Sequence, residues 1–218
     1  MHPVLNIRGL GYSYDGHPVL ARFDLVQPAG DHRVLLGPSG SGKTTLINLI
    51  AGLLTPQRGA IVIDGETISD LPPARRDDLR RRKIGVVFQT LRLVAALDVT
   101  SNLLLAQRLA GQQTDRDEVR ALLGKLGLSH RAYARPRELS QGEAQRAAIA
   151  RGLVARPRLL IADEPTSALD DRNAERVARL LIDTANAHDS TLLVATHDAR
   201  ITAFIPDAIM LAPIAEAA

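Results

Sequence analysis

At 218 residues, with 45% hydrophobic and 23% charged side chains, the chain has the length and composition of one sizeable globular domain. Its net charge of +3 is too small to argue for a nucleic-acid partner, which needs a clustered basic face. There is no cysteine, which excludes disulfides and thiolate metal sites and suits a reducing cytosol; no apolar run approaches the ~20 residues that cross a bilayer.

His2 and Pro3 lead directly into an alternating segment, so no signal peptide is expected. Val4 to Tyr14 and Val19 to Gln27 read as two strands joined by a turn at Asp15-Gly16. Arg33 to Leu36 is a short apolar strand running into a glycine loop, and Leu46, Leu49, Ile50 and Leu53 then repeat at helical spacing, ending near Gly52. Ala60 to Ile63 is a strand closed by the turn signal Asp64-Gly65. The basic run Arg75-Arg76 and Arg80 to Lys83, interrupted by Asp77 and Asp78, reads as a solvated helix face before a strand at Ile84 to Phe88. From Asp98 to Arg137 the pattern is helical, broken near Gly111, Gly127 and Pro136. A helix over Gly142 to Val154, a strand Leu159 to Ala162, a helix Arg172 to Ala187 and strands Thr191 to Ala195 and Ala208 to Leu211 complete the chain. The alternation predicts an α/β fold with a mostly parallel sheet covered on both faces, an N-terminal antiparallel β subdomain and an inserted helical subdomain. The expected division is one domain over 1–218, with 1–90 and 157–218 as the core and 91–156 as the helical part.

Gly37-Pro38-Ser39-Gly40-Ser41-Gly42-Lys43-Thr44 is a phosphate loop in its proper place between strand and helix. Its glycines let successive N–H groups turn inward on an anion, and the helix that follows adds its positive end. In this motif Lys43 reaches the β and γ phosphates and the Thr44 hydroxyl ligates Mg²⁺. The neighbouring Thr45 falls within the same binding turn. Asp163 and Glu164 close a buried apolar strand. Two adjacent carboxylates there are costly unless a cation or proton compensates them, so a metal is expected. Because successive strand side chains point oppositely, Asp163 can anchor Mg²⁺ while Glu164 orients or deprotonates the water that attacks the γ phosphate. An acidic turn after a strand would read the same way if it stood alone.

Ser140-Gln141-Gly142-Glu143 is formally a capping box opening an amphipathic helix. A helix N-terminus with a serine hydroxyl and a glycine backbone is also a second anion site. One chain cannot easily wrap one nucleotide with both sites, whereas two chains about a two-fold axis can.

With these residues in view, the sequence resembles the ATP-binding subunit of ATP-binding-cassette (ABC) transporters over nearly its whole length. The motifs that carry the likeness occur in order: the loop Gly37 to Thr44, the glutamine of Val86-Val87-Phe88-Gln89, the signature Leu139-Ser140-Gln141-Gly142-Glu143, Asp163-Glu164, the loop Ser167-Ala168-Leu169-Asp170, and the histidine of Thr196-His197-Asp198. The resemblance implies ATP and Mg²⁺ as ligands, an ATPase, a sandwich homodimer around two ATP molecules, and separate transmembrane permease subunits that hold the protein at the cytoplasmic face of the cell membrane. It also implies residue roles. Tyr14 stacks on adenine, with Tyr12 as the alternative. Gln89 senses Mg²⁺ and the attacking water, Glu164 is the catalytic carboxylate, and His197 supports the catalytic water. Asp170 crosses the dimer seam, while Ser140, Gly142 and Glu143 belong to the half-site offered to the partner's nucleotide. By itself a histidine after a strand reads as structural.

Two departures stand out. The family's usual first glycine of the signature is Gln141, a change that narrows the allowed backbone. The family's T-V-x-E-N segment is here Asp98-Val99-Thr100-Ser101-Asn102, on a surface expected to meet the permease. The stretch Arg76 to Gln89 resembles lipoprotein-releasing and macrolide-export ATPases, which implies an export or mechanotransmission role. An amino-acid importer ATPase is the near alternative. A non-transport ABC ATPase would carry two cassettes or a long coiled-coil insertion, and a P-loop kinase would lack the signature and the motif histidine.

Overall fold

A computed structural model describes residues 2–166 and 171–213. Two sheets divide the strands. The first is antiparallel in the order β2-β1-β4-β5, built from β1 (Pro3–Tyr14), β2 (His17–Pro28), β4 (Arg58–Ile63) and β5 (Glu66–Thr67). The second is parallel in the order β6-β7-β8-β3-β9, from β3 (Arg33–Leu36), β6 (Ile84–Val87), β7 (Leu159–Asp163), β8 (Thr191–Thr196) and β9 (Ala208–Met210). The α/β class and the antiparallel N-terminal sheet are as the sequence predicts. Every residue of β7 and β8 is buried, as central strands covered on both faces require. β1 mixes buried and open positions, since only one of its faces meets the core.

The phosphate loop leaves β3 and enters α1 (Lys43–Ile50). α1 ends where the sequence suggests, near Gly52: Gly52 adopts φ 65°, and the N–H of Leu53 returns to the carbonyl of Asn48 at 2.8 Å, a left-handed stop that glycine supplies without strain. The basic run forms α2 (Pro73–Lys83), where only Leu79 is buried. Arg80 pairs with Asp77 and Arg82 with Asp78, so this is a solvent face whose two acidic residues are paired and which stays basic.

Three helices follow: α3 (Val99–Leu109), α4 (Arg116–Lys125) and α5 (Gln141–Leu153). Gly111 and Gly127 break the chain at φ 76° and 66°. Val99, Leu103, Val119, Leu122 and Leu123 form a separate helical core with Ala147 and Ala150 of α5 and Val154, which caps it. Ala148, Ile149 and Leu153 of the same helix face the parallel sheet instead. α5 is therefore apolar on two sides and joins the helices to the sheet. It lies so close to β6 that a Cβ on Gly85 would come within 2.2 Å of the Gly152 carbonyl oxygen. The last helix, α6 (Asp171–Ala187), packs on α5 and β8. Among the described residues, no helix is long and apolar enough to cross a membrane.

Candidate functional site

The parallel sheet brings its strand ends to one edge, and the chemistry gathers there. The loop from β3 to α1 lines a cleft of about 580 Å³ with Pro38, Ser39, Gly40, Gly42, Lys43, Thr44 and Thr45; Gln89, Glu164 and His197 complete it. Gly40 and Gly42 take φ 79° and 94°, a region open to glycine without penalty. Gly42 also lies against β2, where a Cβ would meet Val19 Cγ1 at 2.8 Å. Val19, which lines the cleft, was not singled out by sequence. Gly37 and Ser41 sit behind the cleft wall: a Cβ on Gly37 would fall 2.5 Å from both Ser41 Oγ and the Leu211 carbonyl oxygen. They shape the loop from behind.

Lys43 is buried, and its ammonium donates to the carbonyls of Gly37 at 2.7 Å and Pro38 at 3.1 Å. It also stands 3.6 Å from Glu164 Oε1. Glu164 is held on three sides: Thr196 donates to Oε2 at 3.0 Å, and His197 Nδ1 lies 2.9 Å from Oε1. Against an ionised carboxylate Nδ1 donates, and in the neutral imidazole that leaves Nε2 as the acceptor. Glu164 itself has φ 48°, a left-handed conformation that costs a non-glycine residue about 1–2 kcal/mol. Its N–H is fixed on the Ala195 carbonyl at 2.8 Å. Thr196, fully buried, accepts from the Asp198 N–H at 2.9 Å while donating to Glu164. Asp198 is held at about 2 by Arg200, and also accepts from Thr166. Thr196 stands in the motif around His197 but is given no role by sequence, and Thr166 in none, so only the fold reveals what they hold.

Asp163 is 4% exposed. Thr44 donates to its Oδ2 at a long 3.4 Å, and its Oδ1 is buried with no hydrogen-bond partner. Burial first and the Glu164 charge second push its carboxyl above the ordinary range. A buried oxygen left without a donor beside a hydroxyl is what a cation would satisfy, so the residues present fit a metal. Among the described residues no group of three or more His, Cys, Asp or Glu side chains is arranged to hold a metal ion by itself.

The signature residues do not join this cleft. Ser140, Gln141 and Gly142 line a different cavity of about 690 Å³, together with Lys125, Arg146 and Arg176. Ser140 caps α5, accepting from the Glu143 N–H at 3.3 Å, while Glu143 Oε2 accepts from the Ser140 N–H at 2.8 Å. Glu143 faces inward. Its Oε1 takes Arg131 Nε at 2.8 Å and His130 Nε2 at 3.1 Å, and Arg131 chiefly holds its carboxyl down at about 2. Gln141 is an exposed residue of the first helical turn. It needs no positive φ, so the departure from glycine costs the backbone nothing. Asp98 likewise caps α3 through the Ser101 N–H at 2.6 Å, a task that threonine also performs.

Tyr14 is 45% exposed, with its ring edge-on to Tyr12 at 5.0 Å between centroids. Tyr12 packs on the core, which leaves Tyr14 the freer of the two. Neither lines the cleft, although Val19 of the same hairpin does. Ser167 to Asp170, the segment expected at the dimer seam, lies outside the described residues.

A phosphate loop, an Asp-Glu strand end and a capped signature helix on one α/β frame coincide with what comparison finds. The ABC transporter family model matches residues 20–167. The chain belongs to the ABC transporter family. Its cassette is 39% identical over 202 residues to the lipoprotein-releasing system ATP-binding protein LolD of Pseudomonas fluorescens, covering 89% of this chain and 88% of that one. It is 40% identical over 185 residues to the macrolide export ATP-binding/permease protein MacB of Syntrophobacter fumaroxidans, covering 83% of this chain but 26% of that longer protein. Among solved structures, the cassette MJ0796, a dimer in a post-hydrolysis state bound to ADP and Pi, superposes with a TM-score of 0.85 at 31% identity, covering 95% and 94% of the two chains. The cassette is an ATP-binding, ATP-hydrolysing domain.

Proposed function

We propose that this cassette is the ATPase subunit of an export or mechanotransmission ABC transporter, in which two copies close around two ATP molecules and drive a separate permease. The observation that carries the two-chain reading is the separation of the half-sites. Lys43, Thr44 and Glu164 line one cavity, while Ser140 and Gly142 line another. A second copy supplies to each cleft what its own chain does not.

In this reading the backbone of residues 37–45 and Lys43 bind the phosphates, and Tyr14 stacks on adenine. Thr44 and Asp163 hold Mg²⁺, with Gln89 beside them; when bound, the ion neutralises phosphate charge, and with only one protein carboxylate it relies on phosphate and water for its other ligands. Glu164 accepts the proton of the attacking water, kept in place by Thr196 and by His197. Residues 91–156 act as a helical subdomain that carries the signature toward the partner. The export reading rests on the resemblance to LolD and MacB.

The permease has a fitting surface in an open groove of about 360 Å³ between β6 and α3, where three outward-facing apolar side chains, Leu53, Val94 and Leu109, converge. Arg92 stacks on Phe88 there, and Arg151 donates to the Arg92 carbonyl. Apolar walls with four arginines, Arg80, Arg81, Arg92 and Arg151, suit an amphipathic permease segment carrying a carboxylate.

Replacing Glu164 by Gln tests the core of this proposal. ATP binding persists, turnover falls by orders of magnitude, and an ATP-dependent dimer accumulates on size-exclusion chromatography. Undiminished hydrolysis by that variant would remove Glu164 from its role. Wild-type activity that rises only linearly with protein concentration would remove the two-chain site.

A further inference from the structure

The signature turn has a support outside the motif. Glu143 is buried, and each of its oxygens is committed: Oε2 to the backbone N–H of Ser140, Oε1 to Arg131 and His130. Arg131 ends a short 3-10 turn, Ser129–Arg131, that follows α4. Its backbone is fixed as well, its N–H donating to the Leu128 carbonyl at 2.9 Å and its carbonyl accepting from the Ala134 N–H at 3.0 Å. The guanidinium therefore approaches Glu143 from a braced position. His130 is 62% exposed and contributes a single contact, whereas the Arg131 contact is a shorter charge-assisted bond. The geometry at the helix start follows from this chain of contacts. The first intrahelical bond of α5 runs from the Ala144 N–H to the Ser140 carbonyl. The N–H groups of Gln141 and Gly142 precede it and have no partner within the helix. Their direction is set by the peptide of Ser140, which Glu143 holds.

We propose that Arg131 is a positioning residue for the ATP-dependent reaction: through Glu143 it fixes the Ser140 backbone, and so aims the signature's hydroxyl and N–H donors at the nucleotide of the second copy. This rests on the two-chain reading above. Without the guanidinium, the Glu143 carboxylate is free to turn toward water, and Ser140 loses a restraint while the phosphate loop of the same chain is untouched.

The test uses the full chain carrying Glu164→Gln, with ATP as the probe. Arg131→Met keeps the aliphatic stem and removes the charged fork. Affinity for ATP, measured below the dimerisation range, stays within twofold of the parent. The dimer dissociation constant in ATP, from sedimentation, rises about tenfold for each signature helix, hence about a hundredfold for a two-fold dimer. Arg131→Lys recovers part of the loss. In the Arg131→Met, Glu143→Gln double variant the losses do not add, because the two residues act in series. Unchanged dimerisation, strictly additive losses, or a fall in ATP affinity equal to the fall in dimerisation would each overturn the role. A parent that forms no dimer with ATP would instead remove the two-chain reading, and this proposal with it.

Discussion

Gly142→Ala separates what this fold needs from what its reaction needs. Gly142 lies in the first turn of α5 with a helical backbone, and a Cβ added there meets only the far end of Arg146, Nη1 at 3.6 Å. Nothing inside the chain calls for glycine. Alanine is favoured over glycine in a helix by roughly 0.5–1 kcal/mol, which for a chain of this size raises the melting temperature by about 1–4 °C. Gly85 is the contrast. There a Cβ would be 2.2 Å from the Gly152 carbonyl oxygen, so Gly85→Ala must push β6 from α5, at a cost of about 3 kcal/mol and a melting temperature lower by about 6 °C or more. The activities should run the other way for Gly142: in the proposed two-chain site its added methyl stands where a phosphate of the second copy approaches, so turnover drops by tenfold or more and its super-linear dependence on protein concentration disappears. Thermal unfolding and steady-state ATPase titrations read both arms. A Gly142→Ala protein that melts below wild type, or that keeps the wild-type rate and concentration dependence, would refute the reasoning.

Two further outcomes follow from the active cleft. Thr196→Val preserves shape but removes the donor to Glu164 and the acceptor for the Asp198 N–H; together these should cost about 2–4 kcal/mol in urea unfolding, with turnover lowered and ATP affinity retained. Wild-type turnover would show that Thr196 does not hold Glu164. Asp163→Asn should stabilise the nucleotide-free protein at neutral pH while abolishing Mg²⁺-dependent hydrolysis. Asp163 is raised above its ordinary 3.8 by burial and by Glu164, so the folded state keeps this proton longer than the unfolded one. Stability is then lost as pH rises from 3.8 through the folded value. The difference between variant and wild type should grow with pH across that window, and a flat or inverted difference would count against the burial cost. Glu143 and Asp198, both held at about 2, act in the opposite sense at lower pH: their contributions are present above 4.5 and 3.8 and disappear as pH falls through 2.

Much of the frame is legible because its signals are local. The continuous apolar runs of β7 and β8 announce central parallel strands, the glycine loop announces its own turn, and Ser140 with Glu143 announces a helix start. The two-residue strand β5 has no such signal: it exists because Asp64 and Gly65 turn the chain back onto β4. The partners of site residues are likewise hidden, since Thr196, Val19 and Arg131 owe their positions to tertiary packing. Departures from a motif were harder still to weigh by sequence. Gln141 stands where the fold accepts any side chain, and Asp98 replaces one helix cap with another, so neither disturbs the chain that contains it.

On the proposed two-chain reading, the two half-sites share a design that bears on how ATP drives closure. Each is braced from within its own chain, Glu164 by Thr196 and His197, Ser140 by Glu143 and Arg131. Bringing two such chains together then requires little rearrangement of either half, and the bound nucleotide decides the equilibrium. Shifting a two-state balance from 1:99 to 99:1 takes about 5.5 kcal/mol of differential binding. Shared between two nucleotides, that is about 2.7 kcal/mol each, the size of one or two charge-assisted hydrogen bonds. On the two-chain reading, Ser140 and the N–H of Gly142 are donors of that kind, and beyond the capping of α5 by Ser140 they are engaged while a γ phosphate spans the seam. On the same reading, departure of that phosphate takes the shared ligand from both sites together and leaves the closed state without advantage.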